Sequence, residues 1–123
     1  MELVQVAQHA DDLDRAAAFY TDLLGCSPSG RFDPPGLLFF PLGGTRLLLE
    51  VGAPSSVLYL GVESVRDTVD GLRVRGVPIE EEPHVIFTHS DDSLGPAGTD
   101  EWHAFIRDSE DNLLGLVSHE RAD

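Results

Sequence analysis

Asp12-Leu13-Asp14-Arg15-Ala16-Ala17-Ala18-Phe19-Tyr20-Thr21-Asp22-Leu23-Leu24-Gly25 is the stretch whose reading decides the fold, because the chain states its plan twice. Ser64-Val65-Arg66-Asp67-Thr68-Val69 continues to Leu72 and then Gly76. Each stretch opens on a side chain able to cap a helix and closes on a glycine suited to a left-handed C-cap. Leu13, Ala16, Ala17, Tyr20, Leu23 and Leu24 recur near i, i+3, i+4 and i+7, the apolar stripe of an amphipathic helix. The copies are offset by 52 residues from Leu13 to Val65 and by 51 from Gly25 to Gly76. A unit of this length cannot bury its own apolar face, so two copies are expected to pack together.

Outward from each helix the pattern is β-like. Leu3 to Ala7 precedes the first helix, and Val57 to Val62 precedes the second. Gly36 to Leu42 and Thr45 to Val51 flank the tight turn Gly43-Gly44, a hairpin signal. A further strand around Ser29 to Asp33 is only weakly signalled. In the second copy Pro83 to Phe87, Glu101 to Arg107 and Asn112 to Ser118 read as strands, the last two joined by a turn at Asp108 to Asp111. The expected fold is therefore α+β: two βαβββ modules, 1–52 and 53–123, whose curled mixed sheets form a cleft in one domain spanning 1–123. The polar insert Thr88 to Asp100 separates the copies in character and reads either as a lid or as an inert surface loop.

Eight basic residues against 22 acidic ones give a formal charge of −14. That balance argues against nucleic acid, whose binding depends on Lys and Arg neutralising phosphate, and against anionic membrane surfaces. It reads first as acidity that serves solubility, and it is compatible with a cationic ligand. No apolar run approaches the roughly 20 residues of a membrane span. No signal peptide is expected from Met1-Glu2-Leu3-Val4-Gln5, and Cys26, the single cysteine, rules out an internal disulfide. A cytoplasmic setting is the simplest expectation.

With a strand, the Asp12–Gly25 helix motif, a repeat of both, and Asp108-Ser109-Glu110-Asp111-Asn112-Leu113-Leu114 near the end, the chain resembles the vicinal oxygen chelate superfamily. That group includes glyoxalase I, bleomycin-resistance proteins, methylmalonyl-CoA epimerase and extradiol dioxygenases. The likeness covers nearly the whole chain. It departs from the family's Asp-Pro-Asp-Gly-Asn turn at Ser109 and Asp111, residues that still suit a turn. The resemblance implies two βαβββ modules curled round a pocket, usually within a homodimer, and a superfamily that hosts enzymes and simple binders alike.

Metal-dependent members of the family take ligands from four strand positions. By the resemblance these fall on Gln5, Leu48, Val57 and Gly115. A catalytic divalent ion needs about three N, O or S donors from protein. Gln5 supplies one, and Glu50, two residues from Leu48 on the same face, would make two. No cofactor is therefore expected. If a metal is bound, Gln5, Glu50 and His84 are the expected ligands.

Strand alternation names further pocket candidates. Ala7 and His9 share a face with Gln5, Arg46 and Glu50 with Leu48, and Tyr59 with Val57. A turn at 108–111 places Gly115 opposite Ala104, with Trp102 on that face and His103 on the other. His9 with Glu50 would make a general-base pair if close in space. His84 reads as a base, a ligand, or a plain sheet-edge histidine. His89, Asp91, Asp92, Glu101 and His103 read either as a second metal cluster or as solvated loop charge, with no tight metal motif among them. Tyr59 and Trp102 read as core or pocket wall, and as flat walls they suit stacking on a planar or cationic ligand. Nucleotide-binding and Ser or Cys hydrolase motifs are absent from the sequence.

These readings converge on a small-molecule binder lacking the family's metal, sequestering a cationic or aromatic compound through Gln5, His9, Arg46, Glu50, Tyr59 and Trp102, with His9, Glu50 and His84 as the catalytic candidates. One alternative is a metal-dependent lyase, isomerase or dioxygenase. Another is a structural or partner-binding homodimer with a filled cleft.

Overall fold

A computed structural model describes residues 1–122. The chain runs β1 (Gln5–His9), α1 (Leu13–Leu24), β2 (Gly30–Phe32), β3 (Leu37–Leu42), β4 (Thr45–Glu50), β5 (Leu58–Gly61), α2 (Val65–Val74), β6 (Ile79–Thr88), β7 (Thr99–Arg107) and β8 (Leu113–Arg121). This is α+β, with βαβββ stated twice. The weakly signalled strand is β2, three residues long. The two sheets repeat one topology, β1-β4-β3-β2 and β5-β8-β7-β6, each with one parallel pair and two antiparallel pairs, and neither closes into a barrel.

Two compact units result. One comprises 1–56 with 109–112, and the other 57–108 with the chain from 113 onward. The first is built on α1. Asp12 caps it, its carboxylate accepting from the Arg15 N–H at 3.0 Å, and Gly25 ends it at φ 69°, a left-handed turn that costs glycine nothing. Its stripe buries Leu13, Ala16 and Tyr20 against Leu38, Phe40, Leu47 and Leu49. The Tyr20 and Phe40 rings lie 6.0 Å apart. Complete burial of such a side chain stabilises the fold by about 1.5–3 kcal/mol. Gln8 is also wholly buried, on the helix side of β1, where its amide exchanges hydrogen bonds with the Ser56 backbone at 2.7 and 2.8 Å.

In the second unit Ser64 caps α2, which buries Val65, Val69 and Leu72, spaced i, i+4 and i+7. Ala104, Ile106, Leu114 and Leu116 are the buried apolar strand side chains among the described residues of this unit.

One expected register is shifted. Gly115 pairs with Phe105 rather than Ala104, and Arg107 pairs with Leu113. Five residues, 108–112, separate the paired ends where a four-residue turn was expected, with Asp111 at φ 65°. A one-residue slip moves every side chain of a strand to the other face. Trp102 and Ala104 therefore join the buried side of β7, and His103, Phe105 and Glu101 join Gly115 on the open side. Residues 109–112 of the turn belong to the first unit and are bonded within it. Glu110 accepts from the Asp12 N–H at 2.9 Å and from Arg15 Nε and Nη2 at 2.8 and 3.0 Å, while Asn112 donates to the His9 carbonyl at 2.7 Å.

Candidate functional site

The open face of each sheet, turned away from its helix, carries the side chains available to a ligand. In the first unit Gln5 pairs with Arg46, Ala7 with Leu48 and His9 with Glu50, so the expected shared face is present. Arg46 Nε donates to Gln5 Oε1 at 3.1 Å, and its guanidinium lies 5.8 Å from the Phe39 ring centroid. Ser29, Gly30, Phe32, Phe39 and Arg46 line a concavity of about 310 Å³.

His9 has a partner other than Glu50. Its Nδ1 lies 2.9 and 3.1 Å from the Val51 and Ala53 carbonyls, and its Nε2 lies 2.8 Å from Asp11 Oδ1. All three partners are acceptors, so both ring nitrogens do best as donors. The hydrogen bond to Asp11 accordingly holds the His9 pKa above its ordinary value. Both ring nitrogens of His9 are thus engaged, and neither faces Glu50 as a free base. Glu50 pairs with His9, four residues along from Gln5 in the ladder, which places it roughly 13 Å from Gln5 at the rise of a strand. Gln5 and Glu50 are thus not brought together on one ion. His84 lies on β6, with Nδ1 2.9 Å from the Glu82 carbonyl and Nε2 3.4 Å from Glu81 Oε1.

The family's four metal positions are a poor match to an ion. Gln5 is bonded to Arg46, Leu48 is 7 % exposed and apolar, and Val57 has no donor. At Gly115 a Cβ would meet the Tyr59 ring at 2.6 Å, so no ligating side chain fits beside that ring. Four positions supply one donor, short of the three a catalytic ion needs.

In the second unit Tyr59 pairs with Gly115 across β5 and β8. Its ring packs edge-on against Phe105 at 5.8 Å and sits 5.7 Å from His103. Val57, Tyr59, Glu80, Glu81, Phe105, Arg107 and Leu113 line a concavity of about 430 Å³. Trp102 is on the other side of the sheet, where Arg66 lies 4.1 Å above its ring and bonds Glu120 at 2.9 Å.

The insert resolves into a loop from His89 to Gly98, pinned at its neck by His89 N–H to Thr99 O and Gly98 N–H to His89 O, both 2.8 Å. Asp91 turns to Ser93, 3.0 Å from its N–H, and Asp92 to the Ala97 N–H at 2.9 Å, so both acids brace the loop. Three imidazoles gather at its base on a single carboxylate. His89 Nε2 and His119 Nε2 lie 2.9 and 3.0 Å from Glu101 Oε1, and His103 Nε2 lies 2.5 Å from Oε2. Burial works to raise the Glu101 pKa, but the three imidazole bonds hold it below the ordinary carboxylate value. Of these four residues, His119 is the one sequence reasoning missed. The expected strand stops at Ser118, whereas β8 continues to Arg121 and pairs His119 with Glu101. Alternation from Gly115 through Val117 was the available signal.

Among known proteins, the model of the glyoxalase/bleomycin resistance protein/dioxygenase superfamily matches residues 2–116. A comparison with curated proteins matches none of them. Solved structures share the fold at low identity. A lactoylglutathione lyase from Agrobacterium tumefaciens aligns with a TM-score of 0.71 and 22 % identity, over 95 % of this chain and 92 % of its own. A superfamily member from Sphaerobacter thermophilus gives 0.74 and 17 %, over 96 % and 97 %. A virulence protein from Salmonella typhimurium gives 0.70 and 18 %, over 96 % of both chains. With the family model spanning nearly all of it and the duplicated βαβββ fold in place, the chain belongs to the glyoxalase/bleomycin resistance protein/dioxygenase superfamily.

Proposed function

We propose that this chain binds a small organic molecule of aromatic and cationic character on the open face of its second unit, without a metal at the family's four strand positions. The observation that carries the reading is the Tyr59 ring lying over Gly115, with Phe105 at its edge, where a metal-dependent member would present an acidic ligand. An aromatic wall replaces a donor. The concavity of about 430 Å³ falls in the range of small-molecule sites. Glu80 and Glu81 at its rim, in a chain of net charge −14, favour a cation, and the ring faces favour stacking and cation–π contact. The concavity of the first unit is less suited to a cation, because Arg46 there bonds the neutral Gln5, whereas Arg107 in the second is paired with Glu80 at 3.2 Å. Exposed Phe32, Val57 and Tyr59 on the open faces offer apolar surface that a second copy of the chain could cover, and sedimentation equilibrium tests that homodimer.

The test is a thermal-shift and calorimetric screen of planar aromatic cations against their neutral isosteres. Binding by the cations, lowered at least tenfold by Tyr59→Ala and weakened by salt, supports the reading. Ligands that bind equally well to the Tyr59→Ala protein, or a screen in which neutral isosteres bind as tightly as cations, overturn it.

A further inference from the structure

We propose that His89, Glu101 and His119 form a binding site for a divalent transition-metal ion of the zinc class, distinct from the family's four strand positions and independent of the ligand reading above. The three side chains come from different strand ends of the second unit. His119 and Glu101 are directly paired across β8 and β7, and His89 follows β6. One donor atom from each lies within 4.8 Å of the others. A tetrahedral ion with bonds of about 2.0–2.2 Å separates neighbouring donors by roughly 3.4 Å. The present separations from Glu101 Oε1, 2.9 Å to His89 and 3.0 Å to His119, need only a few tenths of an ångström of adjustment.

The environment is that of a built site. His89 is 4 % exposed, and the loop backbone passes so close that a Cβ on Gly95 would fall 2.8 Å from both His119 Nε2 and His89 Cε1. The chain thus holds the two imidazoles under a glycine that no other residue could replace without displacing them. His119, a third exposed at its side chain, leaves an entry path. Without an ion, each imidazole must donate an Nε2–H to the one carboxylate. In the other tautomer, Nδ1–H, the Nε2 lone pairs of His89 and His119 point at the ion instead. His103 stays on Oε2 and orients the carboxylate from outside, the arrangement by which outer hydrogen bonds tune a metal's ligands. Two imidazoles and one carboxylate suit zinc, cobalt or nickel rather than magnesium or calcium, and leave a coordination position open.

Titration of the whole chain with Co²⁺, followed in the visible, tests this. Expected is one ion per chain, with the intense absorption of a four- or five-coordinate centre, displaced by one equivalent of Zn²⁺. His119→Ala and Glu101→Gln should each weaken binding at least 100-fold, and His103→Ala about tenfold. His84→Ala, on the same unit but outside the cluster, should leave affinity unchanged. A wild-type protein that shows only the weak spectrum of the hydrated ion overturns the proposal. So does full affinity in a folded His119→Ala protein.

Discussion

Replacing Glu110 by Gln should remove a pH-dependent share of stability that can be worked out from the structure. The Glu110 side chain is wholly out of solvent, while its partner Arg15 is about half exposed. Burial works to raise its pKa. Bonds from Arg15, the Asp12 N–H and the Ser109 hydroxyl, together with the Arg15 charge, outweigh that and bring it down to about 2, from the ordinary 4.5. A group depressed in the folded state contributes stability that is fully present above its unfolded pKa and lost as pH falls through the folded one. At about 1.4 kcal/mol per pKa unit, the ionised group contributes about 3 kcal/mol at pH 7, salt screening at the exposed Arg15 end making this an upper figure. By the same linkage about 1.4 kcal/mol remains at pH 3. Urea unfolding of wild type and Glu110→Gln at a series of pH values between 7 and 3 measures it. The gap between the two proteins should narrow by about half or more as pH falls to 3. A gap that stays constant with pH, or one below about 1 kcal/mol at pH 7, would refute the reasoning, since neither can arise from a carboxylate held this way.

Three further outcomes follow from particular contacts. Asp11→Asn should lower the His9 pKa, read from its imidazole NMR shifts. Because that pKa is raised in the fold, the stability His9 contributes is present below about 6.5 and fades as pH rises through the folded value, so the variant should lose most on the acid side. Gly115→Ala should fold only with the Tyr59 ring swung out of its place, because the new Cβ would meet that ring at 2.6 Å and Phe105 at 3.1 Å. The displaced ring should lose at least tenfold in affinity for any aromatic ligand found by the screen. Tyr20→Ala should cost about 3–5 kcal/mol in denaturant unfolding, as expected for an aromatic removed from a fully buried site against Phe40.

What the sequence determined by itself is whatever depends on local chemistry. Asp12 and Ser64 with Gly25 and Gly76 mark the two helices because capping is satisfied within four residues. Period-2 alternation puts Gln5, Ala7 and His9 on one face with Arg46, Leu48 and Glu50, because a strand's side chains alternate wherever it is placed. The repeat was legible because each copy carries its own caps and apolar stripe. Tertiary structure decided the rest. The 108–112 turn takes one more residue than its composition suggests because Glu110 and Asn112 are bonded to α1 and β1, about a hundred residues away, and that single residue sends Trp102 to one face and His103 and Phe105 to the other. His9 has Asp11 and two carbonyls for partners, a choice that backbone spacing does not reveal. His89, Glu101 and His119 are separated by 12 and 18 residues and meet only because β6, β7 and β8 are neighbours in one sheet. Local propensity acts over a few residues, whereas a cross-strand site is set by register, and register here is set by side chains distant in sequence.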